Sequence, residues 1–150
     1  MVCTFFGNRD APMAVAATLR EVLRRLVEEE GVTQFYVGQQ GAFDRMVIGE
    51  LERLSSLFSH IRWAVVWAYY PTESTKNVPT LFPEGLEQVP PRFAINKRNA
   101  WMLDKADVVI TYTRNPHSNA AAWKENAKKR GKHVIELNEM QENSRVGRYP

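Results

Sequence analysis

Arg62 to Tyr70, RWAVVWAYY, constrains the fold more than any other stretch. It is apolar at nearly every position rather than at alternate ones, so both faces of a strand here would be buried. Such strands belong inside a parallel sheet covered by helices. Parallel neighbours cannot be joined by tight turns and need a crossover, usually a helix.

The rest of the chain supplies those crossovers. Val2 to Phe6 reads as a short buried strand. Asp10 is placed to cap a helix with Pro12 in its first turn, where proline is tolerated. Val15, Leu19, Val22, Leu23, Leu26 and Val27 then recur at helical spacing, and Gly31 stops the helix. Thr33 to Val37 is the second strand. Phe43, Met46, Val47, Leu51, Leu54, Leu57 and Phe58 mark the second helix, and Arg62 to Tyr70 is the third strand. Residues 71–92 carry five prolines and no clear period, and read as a long loop, functional or mobile. Phe93 to Lys105 predicts a short helix, Asp107 to Thr113 the fourth strand, Ala120 to Arg130 a helix ended by Gly131, and His133 to Leu137 the fifth strand. This order predicts an α/β doubly wound parallel five-stranded sheet, ordered 3-2-1-4-5, with helices on both faces. Residues 1–137 would form one domain and 138–150 a polar tail.

Ligands of such sheets bind beyond the carboxyl ends of the strands, where the winding reverses. Here that point lies between strands one and four. Three connections meet around it. Phe5-Phe6-Gly7-Asn8-Arg9 follows strand one, Gly38-Gln39-Gln40-Gly41-Ala42-Phe43-Asp44 follows strand two, and Tyr112 to Asn119 follows strand four. A glycine-bearing turn into a helix leaves backbone N–H groups unpaired, and with the positive end of the helix dipole they attract anions such as phosphate. Gly7, Gly38 and Gly41 would shape these turns, with or without a ligand. Asn8 sits within the first. Arg9 offers a guanidinium fork to phosphate oxygens, though a surface arginine is the plainer alternative. Asp44 would accept from ribose hydroxyls or complement the dipole of the second helix. Ser118 and Asn119 would cradle an anion or merely cap a helix. Arg98 and Asn99 form a polar pair beside Trp101 and Met102, facing either the pocket or solvent. Tyr69, Tyr70 and Tyr112 close strands and would stack on a base or pack beneath the long loop.

Composition narrows the partners. Of 150 residues, 44% are hydrophobic and 25% charged, which suits one globular domain. The net charge of +3 permits an anionic ligand but lacks the basic stripe of a dedicated nucleic-acid binder. Cys3 is the single cysteine, so no internal disulfide forms and a reducing, cytoplasmic location is expected. No signal peptide is visible, and no apolar run approaches the roughly 20 residues that cross a bilayer. Three scattered histidines and one cysteine have no metal-ligand spacing. Neither metal nor cofactor is expected, and a homo-oligomer paired through helices is.

These motifs together resemble the SLOG superfamily, the Rossmann-like group that includes LOG and DprA-type domains, and within it the YpsA-like branch. The likeness spans about residues 2–137. It rests on Cys3-Thr-Phe-Phe-Gly-Asn-Arg9, Gly38-Gln-Gln-Gly-Ala-Phe-Asp44, Arg98-Asn99 ahead of Met102, and Ala106-Asp-Val-Val-Ile-Thr-Tyr112. The chain departs from the pattern in two places. Asn8 stands where relatives often carry His, and Ser118-Asn119 stands where LOG enzymes carry a double glycine. The resemblance implies binding or sensing of a nucleotide derivative, such as an ADP-ribose-like or cyclic nucleotide signal. Its first alternative is a LOG-like nucleoside 5′-monophosphate phosphoribohydrolase, an N-glycosidase using Arg98 and Glu125. Its second is a DprA-like module for single-stranded DNA.

Overall fold

The computed structural model describes residues 1–69 and 78–140. In chain order they form β1 (Val2–Gly7), α1 (Val15–Glu29), β2 (Gln34–Val37), α2 (Gly41–Leu57), β3 (Arg62–Val66), β4 (Thr80–Leu81), a 3-10 turn (Leu86–Gln88), α3 (Pro91–Lys105), β5 (Val108–Tyr112), α4 (Asn119–Lys129) and β6 (His133–Glu136). All pairings are parallel, and the sheet runs β4-β3-β2-β1-β5-β6.

The doubly wound α/β sheet expected from the sequence is present, with one more strand than expected. The five expected strands keep their relative order as β3-β2-β1-β5-β6. The sixth, Thr80–Leu81, adds to the outer edge of β3, opposite Val65 and Val66. The Val65 N–H donates to the Pro79 carbonyl at 2.8 Å and the Trp67 N–H to the Leu81 carbonyl at 2.9 Å. A two-residue strand is too short to carry a period, so it hid among the prolines of the expected loop. The same stretch also holds the first two residues of α3, with Pro91 at its first position, where a missing N–H costs nothing.

Each sheet face packs against its own pair of helices. On one face Phe5, Phe35, Val65 and Ile110 meet Val15, Leu19 and Leu23 of α1 and Val47 and Leu51 of α2. On the other, Phe6, Val66 and Val109 meet Met102 and Leu103 of α3 and Ala127 of α4. Val65 and Val66 are both buried, one on each side, which is why the third strand had to be apolar throughout. That strand ends earlier than expected, at Val66, and Tyr70 lies outside the described residues. Trp63 is buried in the α1/α2 core, and Trp67 packs against the same cluster.

Two boundaries move. Helix α1 starts at Val15 after a turn in which the Val15 and Ala16 N–H groups reach Pro12 and Met13, so Asp10 does not cap it. At the other end, Leu137 is fully buried and residues 137–140 are helical. The Asn138 Nδ2 donates to the Thr113 carbonyl at 2.7 Å. The polar tail is therefore attached for its first residues; the remainder, 141–150, lies outside the described residues.

Candidate functional site

The exits of β1, β2 and β5 lie side by side because β1 pairs with both of the others. Asn8 joins two of them. Its N–H donates to the Tyr112 carbonyl at 3.0 Å, and its Oδ1 accepts from the Arg114 N–H. Gly7 serves packing: a Cβ there would lie 2.3 Å from the Phe43 ring, so α2 could not approach β1 with any side chain at this position. Phe43 in turn stacks on Tyr112, with centroids 6.5 Å apart and planes at 16°. Tyr112 is thereby buried under α2. Tyr69 is exposed, and its hydroxyl donates to the Pro91 carbonyl at 3.3 Å.

The turn into α2 differs from the expectation of free outward amides. The Gln40 N–H is taken by the Asp44 Oδ2 at 2.8 Å and the Ala42 N–H by the Arg9 carbonyl at 2.8 Å. Asp44 reaches back over its own helix start, much as the acidic member of a capping box does. Gly41 has φ 86°, in the left-handed region that favours glycine, and its missing side chain leaves room for the Arg9 backbone, whose Cα would be 2.7 Å from a Cβ. Gly38 lies under two charged groups. A Cβ there would come within 2.9 Å of the Arg98 guanidinium carbon and 3.0 Å of Asp44 Oδ2.

Arg98 is among the largest fully buried side chains. Ile95, Arg98, Asn99 and Met102 share one face of α3, at spacings of three and four. Arg98 Nε donates to Asn99 Oδ1 at 2.8 Å, and Nη1 to the Val66 carbonyl at 3.0 Å. Burial lowers its pKa from the usual arginine value, an effect that the nearby charge of Asp44 opposes. Burial likewise pushes the Asp44 carboxyl up to about 6, against the opposing pull of the Gln40 N–H and the charges of Arg98 and Arg9.

Helix α4 begins on the opposite side of β1. Ser118 caps it, its Oγ accepting from the Ala121 N–H at 3.1 Å and donating to the Asn115 carbonyl at 2.8 Å. The cap satisfies the third amide. Those of Asn119 and Ala120, the first two of the helix, have no intrahelical acceptor. Lys124 fixes the helix direction by reaching Thr113 Oγ1 and Glu136, both at 3.0 Å.

Between these elements lies a cavity of about 300 Å³. Of the expected site residues, Gly7, Asn8, Arg9, Asp44, Arg98, Asn99, Ser118 and Asn119 line it. Gly38 and Gly41 stand behind the wall and let Arg98, Asp44 and Arg9 take their places. Glu125 is not brought to the site: it is exposed along α4, 3.9 Å from Lys128. Position 125 is the seventh residue of α4, two turns away from the start that faces the cavity.

The sequence reading missed the apolar wall. Ile95, Met102 and Trp123 line the cavity with Phe6, and Trp123 stacks on Phe6 with centroids 5.6 Å apart and planes at 19°. Gln40 was missed as well. Its position inside an already singled-out turn was the available signal, whereas nothing in the spacing singled out Trp123. Among the described residues no three His, Cys, Asp or Glu side chains gather as a metal site would require, and no helix is long and apolar enough to cross a membrane. Comparison with protein-family models and with curated proteins finds no match to the chain.

Proposed function

We propose that this chain binds a nucleotide or nucleotide derivative in the cavity at the carboxyl ends of β1, β2 and β5, and that it binds rather than transforms it. The observation that carries the reading is the start of α4. Its cap and first two residues, Ser118, Asn119 and Ala120, all line the cavity, opposite Arg9. Two amides with no intrahelical acceptor, the positive end of a helix dipole and a guanidinium on one hollow suit a phosphate. Trp123, Met102 and Ile95 give the same hollow an apolar wall against which a base can lie.

The lining carries Arg9 and Arg98 against the single carboxylate of Asp44, a balance that suits an anion. Of the two residues that the phosphoribohydrolase alternative needs, Arg98 lines the cavity, but Glu125 is exposed on α4 and is not part of its lining. The DNA-binding alternative has only the modest net charge of +3 behind it.

A thermal-shift panel of nucleoside mono- and diphosphates, cyclic nucleotides and ADP-ribose tests the proposal. A ligand at about 100 times its Kd should add about 2.7 kcal/mol of stability. Arg9→Ala should remove most of that gain while the unliganded protein melts as before. A panel without a single response would overturn the reading, as would a full response in Arg9→Ala.

A further inference from the structure

We infer that Asp44 and Arg98 together form a ribose-reading subsite, making the cavity selective for ligands that carry the vicinal hydroxyls of a 5′-phosphorylated ribose. The inference rests on the nucleotide reading above and adds to it the part of the ligand that decides affinity. Both side chains are more than nine-tenths buried, at 8% and 2% exposure, and both line the cavity. Each is anchored by part of its polar group and leaves another part unused. Asp44 Oδ2 holds the Gln40 N–H, while Oδ1 has no hydrogen-bond partner among the described residues. Arg98 spends Nε on Asn99 and Nη1 on the Val66 carbonyl, while Nη2 has no partner among the described residues. Both groups come within 3.0 Å of one point over Gly38, so a ligand in the cavity can meet an acceptor and a donor side by side.

The pair also says what that ligand offers. A phosphate only accepts, and it would be repelled by the carboxylate. An amine only donates, and it would leave the guanidinium unanswered. A hydroxyl does both, taking a hydrogen bond from Nη2 and giving one to Oδ1. Two adjacent hydroxyls use the remaining lone pair of Oδ1 as well. Spacing agrees. The anion-binding start of α4 follows β5, and Asp44 stands over the exit of β2. These strands flank β1 on either side and so lie roughly 10 Å apart. A pentose with a phosphate at one end spans such a gap with a hydrogen bond at each end. The base attached to it would then meet the wall of Ile95 and Trp123. Gly38 makes the subsite possible, since any side chain there would displace both charged groups.

The test titrates four probes by calorimetry: ribose 5-phosphate, 2-deoxyribose 5-phosphate, adenosine 5′-monophosphate and its 2′-deoxy counterpart. Hydrogen bonds to a charged acceptor in a buried site predict that each ribo form binds about tenfold or more tighter than its deoxy partner. Asp44→Asn keeps an acceptor for the Gln40 N–H but turns a donor towards the ligand. It should bring each pair within about twofold. Equal binding of ribo and deoxy forms by the wild-type protein would overturn the subsite and leave the nucleotide reading standing. So would a preference that survives in Asp44→Asn, or one seen only in the base-bearing pair. Failure of all four probes together with the thermal-shift panel would overturn both.

Discussion

Asp44 is ionised at neutral pH in a place that disfavours its charge. Its carboxyl titrates at about 6, above the 3.8 of an unburied aspartate, chiefly because burial removes water from it. The sign of the linkage follows. Between about pH 4 and pH 6 the native protein still holds a proton that the unfolded chain has released, so stability falls as pH rises through that window. Below it both states are protonated, and above it both are ionised. The full cost is about 3 kcal/mol at neutral pH for a shift of this size. Asp44→Asn should therefore flatten the stability profile between pH 4 and 6, most visibly in urea titrations at those two values. A profile as steep as the wild type's would mean that Asp44 ionises normally. Proteins tolerate such a cost where the charged group has work to do, and a carboxylate left half-used over a cavity fits that pattern.

At the scale of single elements, α4 separates stability from ligand binding. Ser118 is its N-cap, and Ser118→Ala should cost about 1 kcal/mol of stability. Ser118→Asp should cap equally well and add a favourable charge at the helix start, so melting should stay at or above the wild-type value. Its carboxylate would occupy the ground proposed for the phosphate, and affinity for adenosine 5′-monophosphate should drop about tenfold or more. Undiminished binding in that variant would move the phosphate elsewhere.

The same scale explains what the sequence could and could not disclose. Helices α1 and α2 and the buried strands were legible because period and burial coincide: Val15, Leu19, Val22 and Leu26 are all in the core. Strand β4 was not, since two residues carry no period and lie among the prolines of the stretch that read as a loop. The turn at Gly38 to Asp44 was legible as a turn but not in its chemistry. That an aspartate four residues on would claim the Gln40 amide depends on a side-chain direction that residue spacing leaves open. Gly7 was read as shaping a turn, with or without a ligand. Its actual neighbour is the ring of Phe43, brought there by tertiary packing. Arg98 was placed on the correct helix with either face possible. Only the Val66 carbonyl and the gap over Gly38 explain why it turns inward.

For the molecule as a whole, the sheet order predicts how rigid the site is. Strand β1 has hydrogen-bonded neighbours on both sides and helices on both faces, and its exit forms the cavity floor. Strand β4 has one neighbour and two residues, and its pairing with β3 is closed by the Val65 and Trp67 amides. Opening that edge exposes little apolar surface, whereas freeing β1 requires dismantling both cores. Native-state hydrogen exchange should therefore find amides along β1 and β5 opening only with global unfolding, and those of Val65 and Trp67 opening locally, about tenfold faster or more. Matching rates would make β4 part of the same cooperative unit. If the edge does open alone, the strand ends beneath the cavity remain fixed. The ligand would then meet a preformed floor, and its binding should slow exchange most at the starts of α2 and α4, with β4 still exchanging by local opening.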